Sequence, residues 1–323
     1  MKMKRTLQPY VAEDKIVFGY GNESLVRSLP YTKKNEELVK KLDRYDTNDI
    51  DKYTLDELNT VKKWAKKGLL TNNQYNDDKY SRNINFFEWI DISENTDPVK
   101  YQQQLSQKEV LIVGMGGIGG NIAEILTRLG VKRFILLDFD KVDASNLTRQ
   151  SVFQEKDIGY SKVLTVKRYL KEIDSSVSVI TIEKKITTKQ DLDEVYKQYD
   201  FDLALCCADK PEIVIDYWFD DLSEKYGKPF IAGSYASTVI NYTCIRPGKT
   251  ESLRKFYSEN MITDENLLGN KAPTSIIAPI SYMAAGLIAY RAFYELVDLR
   301  NEIPDAIQID LLNWQVMCYD LNE

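Results

Sequence analysis

The stretch that decides the fold class of this 323-residue chain is Val110-Leu-Ile-Val-Gly-Met-Gly-Gly-Ile-Gly-Gly120. It joins a run of four apolar residues to a segment in which five of the chain's 15 glycines occupy seven positions. Glycines directly after a strand permit a tight turn and let backbone N–H groups approach a phosphate at the N-terminus of the next helix. The sequence therefore predicts a Rossmann-like unit in which four glycines bind a nucleotide: Gly114, Gly116, Gly117 and Gly119.

Beyond this turn, apolar runs of strand length alternate with segments that have apolar residues at helical spacing. The predicted strands are Val110–Val113, Arg133–Leu137, Val177–Ile182, Asp202–Leu205 and Pro229–Ala232. The predicted helices are Ile118–Leu129, Lys162–Glu172, Gln190–Gln198 and Pro211–Tyr226. Such alternation is typical of a doubly wound, mostly parallel sheet of the α/β class. The sequence then predicts a strand over Val239–Arg246, a long loop over 247–275, a buried apolar helix near 277–297 and two strands within 305–320.

The first part of the chain has a different pattern, in which short strands precede two helices. Tyr10–Ala12 and Ile16–Tyr20 are expected to form a hairpin. A helix is expected over Asn35–Leu42, and Thr54 is expected to cap a second helix over Leu55–Trp64. These patterns predict a small α+β domain over 1–75, a linker over 76–106 and a nucleotide-binding domain over 107–323.

The composition excludes several classes of site. The chain has no histidine, so it has no histidine general base or metal ligand. Its four cysteines include no Cys-x-x-Cys pair, so no zinc site is expected. A net charge of −6 argues against a nucleic-acid partner, and no apolar tract reaches the roughly 20 residues that span a membrane. Because MKMKRTLQPY is no secretory signal, we expect a cytoplasmic protein with no membrane partner.

An acidic residue, Asp138, lies 19 positions past Gly119, at the end of a predicted strand. At that spacing its carboxylate can accept a hydrogen bond from a ribose hydroxyl. The glycines and this acid together also fit an NAD(P) oxidoreductase. The continuation Asp138-Phe-Asp-Lys-Val-Asp-Ala-Ser-Asn-Leu-Thr-Arg-Gln150, however, differs from that of dinucleotide-dependent dehydrogenases.

This continuation resembles the nucleotide-binding motif of the ThiF/MoeB/ubiquitin-activating superfamily, whose E1-like members adenylate a carboxylate. Ile158-Gly-Tyr-Ser-Lys162 resembles the family's lysine segment, and Cys207-Ala-Asp-Lys210 resembles the segment with its magnesium aspartate. The resemblance implies ATP and Mg²⁺ as cofactors, with Asp209 as the Mg²⁺ ligand and Arg149 and Lys162 as catalytic cations. The residues that it implies for nucleotide binding are Asp138, Asp140, Asn146, Arg149, Gln150 and Lys162.

The residue types also suit adenylation on chemical grounds. A carboxylate attacks the α-phosphorus of ATP in line, and pyrophosphate leaves. The attacking group is already ionised, so no general base is needed and the absence of histidine is harmless. The requirement is charge stabilisation by cations and a metal ion, for which Arg149, Lys162 and Asp209 are suited.

Upstream, Lys79-Tyr-Ser-Arg-Asn83 resembles a short arginine motif of the same family. In that family the arginine reaches into the nucleotide site of the partner subunit. The resemblance therefore implies that Arg82 is catalytic and that the protein is a homodimer with composite sites.

Within the family, the cysteines distinguish between branches. The thioester-forming branch needs a cysteine in the loop after the central sheet, and residues 245–275 contain none. Cys244 lies inside a predicted strand, and Cys206 and Cys207 end another, where packing is the usual role of a free cysteine. The paired zinc cysteines that most members carry are also missing.

The remaining resemblance is to the peptide-modifying branch, which makes microcin-type and pantocin-type peptide antibiotics. In that branch a winged-helix-like peptide-clamp domain precedes the E1-like domain, and residues 1–75 have a similar size and order of elements. The resemblance implies that this domain binds a ribosomal precursor peptide as an added strand on a sheet edge. The expected reaction is activation of glutamate side chains followed by cyclisation within the peptide, and C-terminal nucleotidylation is the alternative.

Two further alternatives remain open. One is adenylation of a sulfur-carrier protein that ends in Gly-Gly; the missing zinc cysteines and the extra N-terminal domain speak against it. The other is a non-catalytic E1-like subunit, against which the intact Arg149, Lys162 and Asp209 speak.

Overall fold

The structure is a computed structural model of the chain, and it describes residues 1–21, 25–94, 96–258, 275–299 and 303–322. The chain forms two compact units. Unit 1 comprises Met1–Gln104 and Asp298–Arg300, and unit 2 comprises Leu105–Val297 and Asn301–Glu323. The small α+β part and the larger α/β part predicted from the sequence are both present.

Unit 1 is built from short strands and helices. Its strands are β1 (Lys2–Met3), β2 (Tyr10–Ala12), β3 (Lys15–Phe18), β4 (Arg27–Pro30) and β5 (Leu70–Thr71). Its helices are α1 (Lys33–Arg44), α2 (Leu55–Ala65), α3 (Ser81–Ile90) and α4 (Pro98–Gln107), the last of which continues into unit 2.

The antiparallel sheet of unit 1 has the strand order β2-β3-β4, and β1 pairs separately with β5. The predicted hairpin is confirmed, since Tyr10 pairs with Val17. Thr54 caps α2 as predicted, because its hydroxyl accepts the Glu57 N–H while the Glu57 carboxylate accepts the Thr54 N–H. Strands and helices both contribute to the buried core, which includes Phe18, Leu29, Leu38, Leu42, Trp64 and Leu70.

The segment 76–106, which the sequence predicts to be a linker, has regular structure. It contains α3 and nearly all of α4, and unit 1 extends through it to Gln104. Ile84 and Phe87 lie one helical turn apart and both are buried, which favours a helix. The Phe87 ring also meets the Tyr101 ring of α4 edge to face, with centroids 6.2 Å apart.

Unit 2 alternates strands and helices as predicted. Its strands are β6 (Glu109–Val113), β7 (Arg133–Leu137), β8 (Ser178–Ile182), β9 (Leu203–Cys206), β10 (Phe230–Ala236), β11 (Val239–Ile245), β12 (Ala306–Asp310) and β13 (Gln315–Tyr319). Its helices are α5 (Gly119–Leu129), α6 (Lys162–Ile173), α7 (Lys189–Gln198), α8 (Val214–Tyr226), α9 (Leu253–Ser258) and α10 (Ala278–Leu296).

These strands form one sheet in the order β13-β12-β11-β10-β9-β6-β7-β8. The strands from β10 to β8 are parallel, as predicted. Strands β11 to β13 extend the sheet as an antiparallel meander. The chain runs from β6 outward to β8 and then starts outward on the other side with β9, so the carboxyl ends of β6 and β9 flank a topological switch point. Open α/β sheets bind their ligands at such a point.

Helices cover both faces of this sheet. Leu111 and Val113 of β6 lie in a buried cluster with residues of α7 and α8. Side chains alternate along a strand, so Val110 and Ile112 point to the opposite face, where α5 packs against α6 and α10. The predicted apolar helix is confirmed as α10. Within the described ranges, no helix combines the length and apolar character needed to cross a membrane.

Two other elements differ from the prediction. Helix α8 begins at Val214 and not at Pro211, because Ile213 has a φ of +61°, which a right-handed helix does not accommodate. The predicted loop over 247–275 contains the short helix α9. The rest of that prediction falls largely on residues 259–274, which lie outside the described part of the chain.

Candidate active site

The glycine loop starts where β6 ends, at the switch point of the sheet. Gly114 adopts a φ of +95°, and its N–H donates to the carbonyl of Leu137 at 2.8 Å. A Cβ at Gly114 would lie 2.6 Å from the carbonyl oxygen of Cys207, which follows β9. Because the obstacle is backbone, no side chain fits, and glycine allows the ends of β6 and β9 to pack directly.

The other glycines of the loop have different surroundings. A Cβ at Gly119 would lie 1.9 Å from the carbonyl oxygen of Gly114, so the loop backbone excludes a side chain there. A Cβ at Gly117 would lie 2.8 Å from Ser281 Oγ. A Cβ at Gly116 would meet no described atom within 4 Å, so Gly116 borders open space just before α5. That space, in front of a helix N-terminus, is suited to an anionic ligand.

A chain of hydrogen bonds joins the glycine loop to Lys162. The buried carboxylate of Asp138 accepts the Met115 N–H at 2.5 Å and the Asp140 N–H at 2.7 Å. The Asp140 carboxylate in turn accepts the Lys162 ammonium at 3.1 Å, and the Asp140 carbonyl accepts the Lys162 N–H at 3.0 Å. Asp138, which the sequence predicts to bind a ribose, therefore also fixes the loop and the segment that holds the predicted cation.

A 3₁₀ turn over Ala144–Thr148 presents Arg149 and Gln150. Asp143 caps this turn, and Asn146 completes the capping box, since its Oδ1 accepts the Asp143 N–H at 3.1 Å. The Asn146 carbonyl accepts the Gln150 N–H at 3.0 Å. One terminal nitrogen of Arg149 donates to the carbonyl of Ser145 at 2.9 Å. Arg149 Nε and Gln150 Oε1 are buried and have no hydrogen-bond partner among the described residues. Buried polar atoms are nearly always paired, so both atoms are placed to bind a ligand or water.

Two residues that the sequence did not single out connect this turn to the glycine loop. Asn121 Nδ2 of α5 donates to the Gly117 carbonyl at 2.7 Å and to the Arg149 carbonyl at 3.3 Å. Ser281 Oγ of α10 donates to the Gly117 carbonyl at 2.8 Å and lies 3.2 Å from the Arg149 carbonyl. A serine near the start of an apolar helix gives only a weak sequence signal of a functional role. Its partners, Gly117 and Arg149, lie more than a hundred positions earlier in the chain, so no sequence spacing connects them.

Asp209 follows β9, and its side chain is exposed. The backbone of Cys207 and Ala208 packs on Gly114, which places Asp209 beside the start of the glycine loop. The Asp209 carboxylate has no hydrogen bond or ion pair with the described residues. The described part of the chain also contains no group of three side chains that could together bind a metal ion. A single available carboxylate fits Mg²⁺, which is bound by one or two carboxylates together with phosphate oxygens and water.

Three of the four cysteines are unsuited to nucleophilic attack. Burial raises the pKa of the Cys206, Cys207 and Cys244 thiols, and the thiolate is the nucleophilic form. Cys206 also donates to Asp216 at 3.2 Å, and burial raises the pKa of that carboxyl to about 6. Cys206 and Cys244 are buried within β9 and β11, in agreement with the predicted packing role.

The structure thus groups the predicted residues of unit 2 around one end of the parallel strands. Hydrogen bonds or close backbone contacts link the glycine loop to Asp138, Asp140, Lys162, Asn146, Arg149, Gln150 and the segment before Asp209. Arg82 lies in the first turn of α3, in unit 1, and its role stays a prediction.

The sequence profile of the ThiF family matches residues 80–320, about three quarters of the chain. The chain belongs to the ThiF family. The predicted family is thereby confirmed. Curated relatives include Adenylyltransferase and sulfurtransferase MOCS3 of Aedes aegypti, 30% identical over 183 residues that cover 57% of this chain and 39% of that protein. Ubiquitin-like modifier-activating enzyme 5 of Drosophila mojavensis is 29% identical over 231 residues, which cover 67% of this chain and 56% of that protein. The chain spans only part of the length of either relative.

Solved structures resemble this ThiF-family chain over its whole length. The crystal structure of E. coli MccB has a TM-score of 0.81 at 22% identity and covers 100% of this chain and 94% of that one. The crystal structure of PaaA has a TM-score of 0.76 at 19% identity and covers 99% of both chains. These likenesses show that the fold is shared, including its N-terminal part.

We expect Gly116→Ala and Gly114→Ala to impair this ThiF-family protein in different ways. A methyl group at Gly116 meets no described atom, so the variant should keep wild-type stability but bind ATP about tenfold more weakly, a loss of about 1.4 kcal/mol. A methyl group at Gly114 meets backbone at a positive φ, so that variant should lose about 1–3 kcal/mol of unfolding free energy. Urea denaturation and calorimetric ATP titration measure the two effects. Unchanged ATP affinity in Gly116→Ala would show that Gly116 does not face the nucleotide.

Proposed function

We propose that this chain uses ATP to adenylate a carboxylate of a ribosomally synthesised precursor peptide in peptide antibiotic biosynthesis. The observation that carries the proposal is the presence of two unpartnered buried atoms, Arg149 Nε and Gln150 Oε1, on the segment that Asn121 connects to the glycine loop. An arginine N–H suits a phosphate oxygen, and the loop N–H groups suit the neighbouring phosphates. Membership of the ThiF family, with adenylyltransferases among its relatives, supports the same class of reaction.

In this mechanism an ionised peptide carboxylate attacks the α-phosphorus of ATP. A new bond forms between the carboxylate oxygen and the phosphorus, the bond to the bridging oxygen breaks, and pyrophosphate leaves with the electron pair. Arg149 and Lys162 stabilise the charge on the phosphate oxygens, and no proton has to be removed from the nucleophile. Asp138 keeps the loop in place through Met115, and it keeps the Lys162 segment in place through Asp140.

Asp209 would hold Mg²⁺ at the carboxyl end of β9. When bound, the ion neutralises phosphate charge. The exposed Asp209 side chain, which has no partner among the described residues, is available for this role and lies beside the glycine loop. Zinc has no part in the proposal.

Solved neighbours support both the nucleotide and the biosynthetic setting. E. coli MccB has been crystallised with ATP. The Microcin C7 biosynthetic enzyme MccB has also been solved in complex with N-formylated MccA. By analogy, we assign ATP as the nucleotide and a short peptide as the second substrate of this chain.

After activation, we propose that a nucleophile within the same peptide captures the acyl-adenylate at glutamate side chains, which releases AMP and closes a ring. The sequence lacks the paired zinc cysteines of the microcin pattern, and this difference favours cyclisation over C-terminal nucleotidylation. A nucleophile on the same peptide reacts at a high effective concentration. The buried thiols, whose pKa values are raised, give no support to a thioester with a sulfur-carrier protein.

The test is mass spectrometry of a short peptide encoded beside this chain's gene, after incubation with the enzyme, ATP and Mg²⁺. We expect the peptide to lose water, or water and carbon dioxide, while AMP forms. Arg149→Ala should slow the reaction about 100-fold or more, because the charge on the phosphates is less stabilised. Arg128→Ala, which removes an exposed arginine of α5, is the matched control and should leave the rate unchanged.

Other outcomes decide between the alternatives. A mass gain of one nucleotide monophosphate would establish nucleotidylation in place of cyclisation. An unchanged peptide without AMP would contradict a peptide substrate, and release of pyrophosphate with a Gly-Gly-ended protein would then identify a sulfur carrier.

We propose that unit 1 binds the leader part of the precursor as an added strand. In the sheet β2-β3-β4, β2 and β4 are the edge strands. A groove of about 460 Å³ lies beside β2, between Pro9, Tyr10 and Val11 on one side and residues of α1 on the other. Tyr10 and Val11 are 40% and 50% exposed. An open strand edge next to a partly apolar groove is suited to an extended peptide, because backbone pairing gives affinity and the groove gives selectivity.

The register identifies which edge N–H groups are open. In the hairpin, Ala12 and Lys15 close a two-residue turn and exchange ladder bonds, so the N–H of the neighbouring Val11 points outward. The same alternation carried across β3 points the Ser28 N–H outward at the other edge. Pro30, which has no N–H, also occupies an outward position, as this register requires.

Proline substitution at these two residues tests strand addition. Val11→Pro should weaken binding of a fluorescently labelled precursor about tenfold or more in an anisotropy titration, because it removes an edge N–H beside the groove. Ser28→Pro makes the same change at the opposite edge and should bind normally, while both variants keep wild-type ATP affinity. Loss in Ser28→Pro alone would move the peptide to β4. Normal binding in both variants would rule out strand addition.

We further propose that the enzyme is a homodimer in which Arg82 of each subunit completes the nucleotide site of the other. Arg82 is exposed and forms no ion pair with the described residues, so its charge is available to a ligand. Arg82 belongs to unit 1, whereas Arg149 belongs to unit 2.

Mixing two inactive variants tests this arrangement. Arg82→Ala and Arg149→Ala should each abolish AMP formation. Random exchange of subunits should restore about a quarter of the wild-type rate, since half of the dimers are mixed and one of their two sites is intact. A mixture that stays inactive, although native mass spectrometry shows mixed dimers, would place Arg82 in its own subunit's site, and an active Arg82→Ala variant would place it outside the mechanism.

A further inference from the structure

Asn121 and Ser281 hold the same two carbonyl groups. Asn121 Nδ2 lies 2.7 Å from the Gly117 oxygen and 3.3 Å from the Arg149 oxygen. Ser281 Oγ lies 2.8 Å and 3.2 Å from the same two atoms. The amide has two hydrogens and the hydroxyl has one, so three donor hydrogens serve four contacts. The two side chains therefore act together on the glycine loop and the arginine turn.

The contact joins parts of the chain that are far apart in sequence. Ser281 is fully buried on α10, and Asn121 is 3% exposed on α5, against which α10 packs. Asn121 Oδ1 also accepts the N–H and the hydroxyl of Ser151 at 3.1 Å and 3.0 Å. The backbone from Arg149 to Ser151 is thus fixed to the helix that starts at the glycine loop.

We propose that Ser281 is a positioning residue for ATP, which it serves through Gly117 and Arg149. This inference rests on the proposed adenylation function. If the Gly117 carbonyl oxygen turned toward a phosphate, it would repel the phosphate. Because this oxygen accepts hydrogen bonds from Asn121 and Ser281, it points toward those two donors instead. The same pair fixes the peptide from which the Arg149 side chain extends. Ser281 therefore orients both the phosphate-binding loop and its cation, without contact to the nucleotide itself.

The size of the side chain matters as well. A Cβ on Gly117 would lie 2.8 Å from Ser281 Oγ and 2.9 Å from the Tyr235 hydroxyl, so the loop already lies close against both residues. Ser281→Ala removes the hydroxyl without adding volume. The Asn121 amide then has to hold both carbonyls alone.

The experiment compares Ser281→Ala with Thr127→Val by calorimetric ATP titration and by thermal unfolding of the full chain. Thr127 is the matched control, since its buried hydroxyl donates to the Ala123 carbonyl at 2.8 Å within α5 and touches neither Gly117 nor Arg149. We expect Ser281→Ala to bind ATP about five- to tenfold more weakly and Thr127→Val to bind it within about twofold of wild type, at similar losses of Tm.

A double-mutant cycle with Asn121→Ala separates positioning from a general structural role. If the two side chains act on the same carbonyls, their effects on ATP affinity should be non-additive, whereas Thr127→Val and Asn121→Ala should combine additively. ATP affinity in Ser281→Ala equal to that in Thr127→Val would overturn the inference and leave the proposed function standing. A wild-type protein that does not bind ATP would overturn both.

Discussion

Where β6 ends, the backbone of Gly114 packs on the carbonyl of Cys207 in a space that admits no Cβ. This contact brings together the carboxyl ends of β6 and β9, two adjacent parallel strands. The chain continues from β6 toward one edge of the sheet and from β9 toward the other. The glycine loop leaves one strand and the Asp209 segment leaves the other, so their closeness follows from the missing side chain. The Gly114 N–H also bonds to Leu137 at the end of β7, which brings Asp138 into reach of Met115.

At this end of the sheet, hydrogen bonds fix the backbone of the glycine loop, whereas two buried side-chain atoms of the site have no partner among the described residues. Leaving a buried polar atom without a partner costs about 1–3 kcal/mol, so Arg149 Nε and Gln150 Oε1 are places where this chain forgoes stability. A ligand that pairs with them recovers this free energy on binding. The absence of histidine is compatible with such a site, since a site that stabilises phosphate by fixed charges needs no group that exchanges protons.

The parallel sheet could be predicted because its signals are strong and local. Buried strands such as Val110–Val113 are continuous apolar runs, and the crowded glycines mark the turn that follows. Of the two helices of 76–106, α4 was missed because its apolar residues are sparse, while α3 has apolar residues at helical spacing that the linker prediction overlooked. Pairs such as Phe87 and Tyr101 become informative only once both helices are placed. The start of α8 depends on the backbone of one residue, Ile213, which no residue type in that segment indicates.

Some residues of the candidate site could likewise be predicted from the sequence and others could not. Asp138 could be selected because it ends a predicted strand at a recognisable distance from the glycines, and Arg149, Lys162 and Asp209 because the segments around them resemble motifs of the family. Asn121 and Ser281 could not, since their role depends on how α10 packs on α5 and on carbonyl groups that every residue has. Side chains that contact a ligand can therefore be identified from sequence patterns more easily than side chains that hold the backbone of the site in place.

The burial of the cysteines has a practical consequence. Cys206 and Cys244 are buried, and burial raises the pKa of these thiols and of Cys207, whereas Cys318 is exposed on β13. Alkylating reagents attack accessible thiolates, so the native protein offers them a single favourable position near one edge of the large sheet. A dye or spin label can thus be attached there without mutating the chain, which gives a spectroscopic reporter well away in strand order from the glycine loop.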